Sequence, residues 1–245
     1  MAEADRGTAR TRQRRLVGVM AAVAAVLVVA IAISSGGGSS RPTAASGGSV
    51  AGAAYSSALL AGIPQHGLVL GNPSAPVRVV EFADLQCPYC DEFATQALPP
   101  LIAHYVRPGR VSIEFRNLSF IGPGSVLAGQ AAAAAEQQNR LWNFVDLMYL
   151  NQGEENSGYV TGPYLHRLLA AVPGLDVLSA ERTSRSPQAT AFLTAANSAA
   201  TASGIDATPS FLIGRAGGQL RQYQPSSLTA GAFTGELNAL LGAKP

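Results

Sequence analysis

Cysteine is scarce in this chain, two residues in 245. That number excludes a disulfide framework and cannot by itself supply the four sulfurs of a structural zinc site, so the two must act singly or as one pair. Histidine is scarce as well. His66, His104 and His166 stand at no metal-ligand spacing from the cysteines and read as surface or packing residues, so neither a metal nor a cofactor is expected. Charged residues make up only 13% of the chain, and their placement says more than their sum. Residues 1–15 hold Arg6, Arg10, Arg12, Arg14 and Arg15 against Glu3 and Asp5. Of 17 basic and 15 acidic residues, 12 and 13 therefore lie beyond residue 15, a net of −1. A body with that balance has no electrostatic support for nucleic-acid binding. Internal repeats are absent at periods of 20 to 50 residues, and 26 glycines and 15 prolines show no fixed spacing. Solenoid and fibrous architectures are thereby excluded. With 47% hydrophobic residues the chain is not disordered as a whole, and its length suffices for one sizeable core.

The most conspicuous feature present is an uninterrupted apolar run, residues 16–33 (LVGVMAAVAAVLVVAIAI), directly after the arginine-rich tail. Its 18 residues are close to the ~20 that cross a bilayer. Basic charge before such a segment holds the N-terminus in the cytoplasm and sends the C-terminal remainder of the chain across the membrane. The expectation is a cytoplasmic tail over 1–15, a signal-anchor over 16–33 and an extracytoplasmic body. The small-x-small sequence Ala30-Ile31-Ala32 leaves open cleavage as a signal peptide, and so secretion. Residues 34–54 are dominated by glycine, serine and alanine with no apolar periodicity, the composition of a flexible tether. Such a segment spans about 25 Å. The linker is assigned to 34–60 and the folded domain to 61–243.

Within the folded domain, the turn Gly71-Asn72-Pro73-Ser74-Ala75-Pro76 delivers the chain into residues 77–82, which are rich in β-branched side chains and predict a buried strand. Cys87-Pro88-Tyr89-Cys90 comes next. Phe93, Ala97, Leu98, Leu101, Ile102 and Tyr105 then recur at spacings of three and four, one apolar helix face, with Pro99 and Pro100 predicting a kink rather than a break. A second strand is expected over 111–115. An alanine-rich stretch predicts helices over 128–138, 141–151, 164–171 and 188–203, in which Trp142, Phe144, Leu147 and Met148 read as core. Strands return over 210–213 and 219–223 around a tight connection at 214–218, and a helix over 228–241 closes the chain. This order describes an α/β sheet domain with a helical insertion at about 122–204.

The cysteines thus fall where a buried strand meets the first turn of a helix. Unpaired N–H groups and the helix dipole there favour a thiolate, lowering the pKa from ~8.5 towards ~3.5–7.5. Cys87 is the expected nucleophile and Cys90 its resolving partner. Pro88 suits a first helical turn, where its missing N–H would have had no partner. Glu81, six residues earlier in an otherwise apolar strand, would have a raised pKa if buried, or would reach solvent if at the strand's end. Asp84 is a weaker candidate for the same duty.

Taken together, Gly71 to Val77, Glu81 to Cys90 (EFADLQCPYC), Leu141-Trp142-Asn143-Phe144 leading to Asn151-Gln152, and Gly204-Ile205-Asp206-Ala207-Thr208-Pro209-Ser210-Phe211 resemble the DsbA-like thiol-disulfide oxidoreductases. The likeness spans about residues 62–242. It implies a thioredoxin-like fold with the insertion as a cap over the active site. It also implies that Thr208-Pro209 forms a cis-proline loop, presenting the Thr208 backbone to substrate and keeping the thiols from capturing a metal. Glu81 is then the acid that helps move the proton of Cys90. One departure matters. The strongly oxidising members carry a histidine between the cysteines, and here Pro88-Tyr89 removes that cation, so a more moderate reduction potential is expected.

Three functions stay open. The first is a membrane-tethered oxidase that introduces disulfides into exported proteins and is reoxidised by a quinone-linked membrane partner. The second is a tethered reductase or isomerase kept reduced by a transmembrane electron donor. The third is a non-catalytic binding domain with a structural cysteine pair. A monomer is the default.

Overall fold

The computed structural model describes residues 50–242. The basic tail, the anchor over 16–33 and the tether up to residue 49 lie outside the described residues. Among the described residues no helix is long and apolar enough to cross a membrane.

A six-stranded sheet forms the centre: β1 (Gln65–His66), β2 (Val69–Leu70), β3 (Val77–Ala83), β4 (Val111–Asn117), β5 (Ser210–Arg215) and β6 (Arg221–Tyr223), in spatial order β1-β2-β4-β3-β5-β6. The pair β3 and β4 is parallel and every other pair antiparallel. Six of the seven β3 residues are buried, since helices cover both faces. Strand alternation sends Val77, Val79, Glu81 and Ala83 to one face, with Ile113, Phe115, Phe211 and Ile213. Val80 and Phe82 face the other way, onto Ala196, Ala200 and Ile205. Glu81 therefore points into the larger core. Its place is a matter of parity.

That first face is covered by a bent helix over residues 88–106 and by the C-terminal helix. The bent helix starts as α2 (Pro88–Glu92), passes through a π-helical turn (Phe93–Ala97), continues as α3 (Leu98–Leu101) and ends in a second π-helical turn (Ile102–Val106). Pro99 and Pro100 cannot donate to the preceding turn, and the wider turns on either side carry the chain past them. The expected distortion without a break is what the structure has. Phe93, Phe211 and Phe233 pack with ring centroids 4.8–5.4 Å apart, locking the bent helix to β5 and to the C-terminal helix.

Between β4 and β5 lie α4 (Pro123–Glu136), α5 (Leu141–Leu150), α6 (Gly162–Ala171), α7 (Val177–Ser184) and α8 (Pro187–Ala202), and α9 (Ala230–Leu240) closes the chain. Trp142, Phe144, Leu147 and Met148 are buried as expected. Besides a helix within the assigned linker, two elements escaped the sequence. Helix α7 is short and polar, and its start is fixed by Asp176, whose side chain accepts from the Ser179 N–H at 3.0 Å. The hairpin β1–β2 has two residues per strand, too few for a pattern, and depends on α5. Gln65 Oε1 accepts from the Trp142 N–H at 3.1 Å, and Trp142 Nε1 donates to the Leu68 carbonyl at 3.1 Å.

The linker assignment over 34–60 is corrected at its C-terminal end. Residues 53–60 form helix α1 (Ala53–Leu60), with Ser56 and Leu60 buried. Its sequence AAYSSALL has spacer-like composition and no stop signal, so remote partners hold it. The Arg107 guanidinium donates to the Leu59 and Ala61 carbonyls at 2.8 Å each, and Asn151 Nδ2 donates to the Ala51 carbonyl at 3.0 Å.

Candidate active site

Strand β3 ends at Ala83, and the short loop 84–86 carries the chain into α2, with Cys87 in extended geometry (φ −71°, ψ 121°) at the helix N-cap. Pro88 occupies the first turn. The Cys87 carbonyl accepts from the N–H groups of Cys90 and Asp91, both at 3.1 Å, which closes the turn and brings the second cysteine back beside the first. Both thiols are free. Cys87 retains 5% exposure, Cys90 none, and Tyr89 between them is 62% exposed.

Sequence position thus becomes chemical asymmetry. The Cys87 thiol is lowered to about 6, chiefly by the hydrogen bond from the Cys90 thiol, against desolvation, with help from the Thr208 side chain and the N–H groups of Cys90 and Tyr89. Cys90 is pushed well above the usual thiol value by burial and by the neighbouring Cys87 thiolate and Glu81. Thr208-Pro209 is a cis peptide, as the resemblance implied, and the Thr208 carbonyl lies 3.5 Å from Cys87 Sγ.

Glu81 sits on β3 on the face that carries the bent helix and is 2% exposed, so it does not reach solvent. Its Oε1 is buried without a hydrogen-bond partner. Burial, with the Cys87 thiolate second, raises its carboxyl to about 8. An acid of that value is matched to proton exchange near neutral pH.

Asp84 has a different duty from the one its sequence position suggested. Its Oδ1 accepts from the Gln86 N–H at 2.9 Å and the Ser125 hydroxyl at 2.6 Å, and its Oδ2 from the N–H groups of Phe120 and Ile121 at 3.0 and 3.1 Å. This carboxylate ties the loop before Cys87 to the entry of α4, and its oxygens are committed to donors. Asp84→Ala would leave four donors around a void, and we expect a loss of about 3 kcal/mol in urea unfolding. A loss under ~1 kcal/mol would mean that water replaces the carboxylate.

Gln86, Ser125, Tyr149 and Gln152 also border the site and were not singled out by spacing. Gln86 Nε2 donates to Ser125 Oγ at 2.9 Å, and the Tyr149 hydroxyl donates to the Asp84 carbonyl at 3.3 Å. No sequence pattern announces such contacts, because the partners lie 39 and 65 residues apart. Among the described residues no cluster of histidine, cysteine and carboxylate side chains is arranged to hold a metal ion. His66 and His104 are exposed, and His166 pairs with Glu181 at 2.7 Å, away from the thiols.

A dithiol at the start of a helix on a central mixed sheet, with a cis-proline loop against it and helices inserted between β4 and β5, defines a thioredoxin-fold protein with a paired-cysteine centre. The family model described as Thioredoxin matches residues 64–222, and the chain belongs to the thioredoxin family. The resemblance to DsbA-like thiol-disulfide oxidoreductases holds in sequence and in fold. The chain is 36% identical over 111 residues to a probable disulfide bond formation protein D of Bacillus cereus, a match covering 44% of this chain and 51% of that one. It therefore spans about half the length of the curated relatives it matches. The crystal structure of oxidised BdbD from Bacillus subtilis superposes with a TM-score of 0.63 at 22% identity, covering 74% of this chain and 97% of that one. That of Chlamydia trachomatis DsbA gives a TM-score of 0.60 at 21% identity, covering 71% and 90%. These superpositions speak to fold.

Proposed function

We propose that this protein is a membrane-tethered, extracytoplasmic thiol-disulfide oxidoreductase that introduces disulfides into exported proteins through Cys87 and Cys90. The observation that carries the reading is the asymmetry of the pair: one thiol that keeps a sliver of exposure and is lowered to about 6, the other fully buried and raised. In the oxidised enzyme a client thiolate attacks Cys87 Sγ, forming a mixed disulfide as the bond to Cys90 breaks. Cys90 leaves as a thiolate and takes a proton through Glu81. A second client thiolate then attacks the client sulfur, and Cys87 departs as the stabilised thiolate. Two electrons pass from client to enzyme, and a membrane partner must remove them. Exposed Tyr89, between the two cysteines, offers apolar surface to an extended client.

Lowering one thiol from about 9 to about 6 favours the dithiol form at pH 7 by roughly 1.4 kcal/mol, equivalent to about 30 mV. With no cation between the cysteines to add to it, the pair is read as a moderate oxidant. Tethering rests on the apolar run over 16–33 and the arginines before it.

Two measurements test the reading. Cys90→Ser should accumulate mixed disulfides with exported proteins through Cys87, seen as reductant-sensitive high-mass bands. The wild-type potential, read by alkylation in glutathione buffers, should lie well above thioredoxin's ~ −270 mV. A value at that level assigns the protein to reduction, and a Cys90→Ser protein that traps nothing assigns the pair a structural role.

A further inference from the structure

Gln152 lies just past the C-terminus of α5 and is 5% exposed. Its Nε2 donates to the carbonyls of both Leu85 and Cys87, each at 3.2 Å. One helical turn earlier, the Tyr149 hydroxyl donates to the carbonyl of Asp84. The end of α5 therefore grips three backbone carbonyls of the four residues that lead into and include the nucleophile. The Cys87 carbonyl is the same oxygen that accepts from the N–H groups of Cys90 and Asp91 and so closes the turn between the two thiols.

We infer that Gln152 is a positioning residue for thiol-disulfide exchange: by forking its amide across the Leu85 and Cys87 carbonyls, it fixes the peptide planes on either side of Cys87 and with them the turn that sets the Cys90 thiol beside the Cys87 sulfur. This rests on the proposed function and adds to it that the helical insertion tunes the nucleophile as well as covering it. The physical ground is that both amide hydrogens are spent on carbonyls flanking the nucleophile, at a buried position where water cannot substitute. Without the fork, the planes on either side of Cys87 can rotate, the turn closed on the Cys87 carbonyl loosens, and the Cys90 thiol that chiefly stabilises the Cys87 thiolate loses its aim. A group that merely satisfied two buried carbonyls would affect stability and leave the thiol unchanged.

The test is made on the full-length reduced protein, following thiolate absorbance at 240 nm against pH and the equilibrium with glutathione. In Gln152→Leu, which fills the space and removes both donors, the Cys87 midpoint should rise by about one pH unit, a tenfold drop in thiolate fraction on the acid side. The glutathione equilibrium should move several-fold towards the disulfide. Gln152→Glu keeps the shape and offers at most one donor; it should shift both readouts the same way, which covers the case in which the leucine variant does not fold. A midpoint and an equilibrium constant equal to wild type, whatever the change in stability, overturn the inference. Should wild-type Cys87 itself titrate as an ordinary thiol, the proposed function is what fails. A depressed wild-type value with unmoved variants removes only the role of Gln152.

Discussion

Cys87→Ser is expected to abolish disulfide exchange, a loss of at least ~10³-fold, because serine can neither form the mixed disulfide nor ionise in the accessible pH range. The wild-type counterpart of this result is a pH profile. With the Cys87 thiol at about 6, alkylation by iodoacetamide should be half-maximal near that pH, where a free cysteine turns over near ~8.5. The size of the advantage decides where to look. At pH 7 such a thiol is ~90% ionised against ~3% for free cysteine, but its lower basicity costs about tenfold in nucleophilicity, and the two nearly offset. At pH 5.5 the ionisation advantage exceeds two hundredfold, and Cys87 should react on the order of 20 times faster than free cysteine. The low value matters more when Cys87 leaves than when it attacks, since a stabilised thiolate is the better leaving group. That favours release of an oxidised client. A profile centred near ~8.5 would remove the basis of the asymmetry.

Glu81→Gln is expected to stabilise the reduced protein and to slow it. The carboxyl stands at about 8 in the fold against 4.5 in the open chain. A raised acid favours the fold while it is protonated, and that contribution is lost as pH climbs from the unfolded value through the folded one. The wild type therefore carries a penalty that is absent below about pH 4 and on the order of 4 kcal/mol above about pH 8. Glutamine removes it, so urea unfolding should show the variant level with wild type at pH 4 and ahead by a few kcal/mol at pH 8. The gap should narrow in the disulfide form, where the Cys87 thiolate that adds to the shift is gone. The cost is chemical. Without a titratable group at this place, the proton of the buried Cys90 has a poorer route, and exchange steps that load or unload Cys90 should slow by about 10²-fold or more. A stability difference that does not change with pH would place Glu81 in contact with water after all.

Much of this molecule can be read along the chain. Val77, Val79 and Val80 on β3, the apolar spacing from Phe93 to Tyr105 and the turn chemistry of Cys87-Pro88-Tyr89-Cys90 are local signals, because strand alternation, helical period and a proline in the first turn need no distant partner. The parity that sends Glu81 into the core comes from the same period of two. The helical character of residues 128–151 is likewise local, set by alanine, leucine and methionine.

Other features have no local signature. Helix α1 looks like spacer because what holds it is the side chain of Arg107, nearly fifty residues on. Hairpin β1–β2 depends on Gln65 and Trp142, separated by 77 positions. Asp84 gives the same signal as Glu81, an acid just ahead of the cysteines, and only the donors brought to it from residues 120, 121 and 125 make it a fastening instead of a proton carrier. The chain alone determined where the two sulfurs stand, three residues apart at a strand-to-helix junction, because the strand and helix periods on either side are local. Their surroundings were decided by tertiary structure: the burial of Cys90, the Thr208 carbonyl 3.5 Å from Cys87 Sγ and the Gln152 amide on the Cys87 carbonyl depend on distance in space, and no pattern of neighbours along the chain encodes that distance.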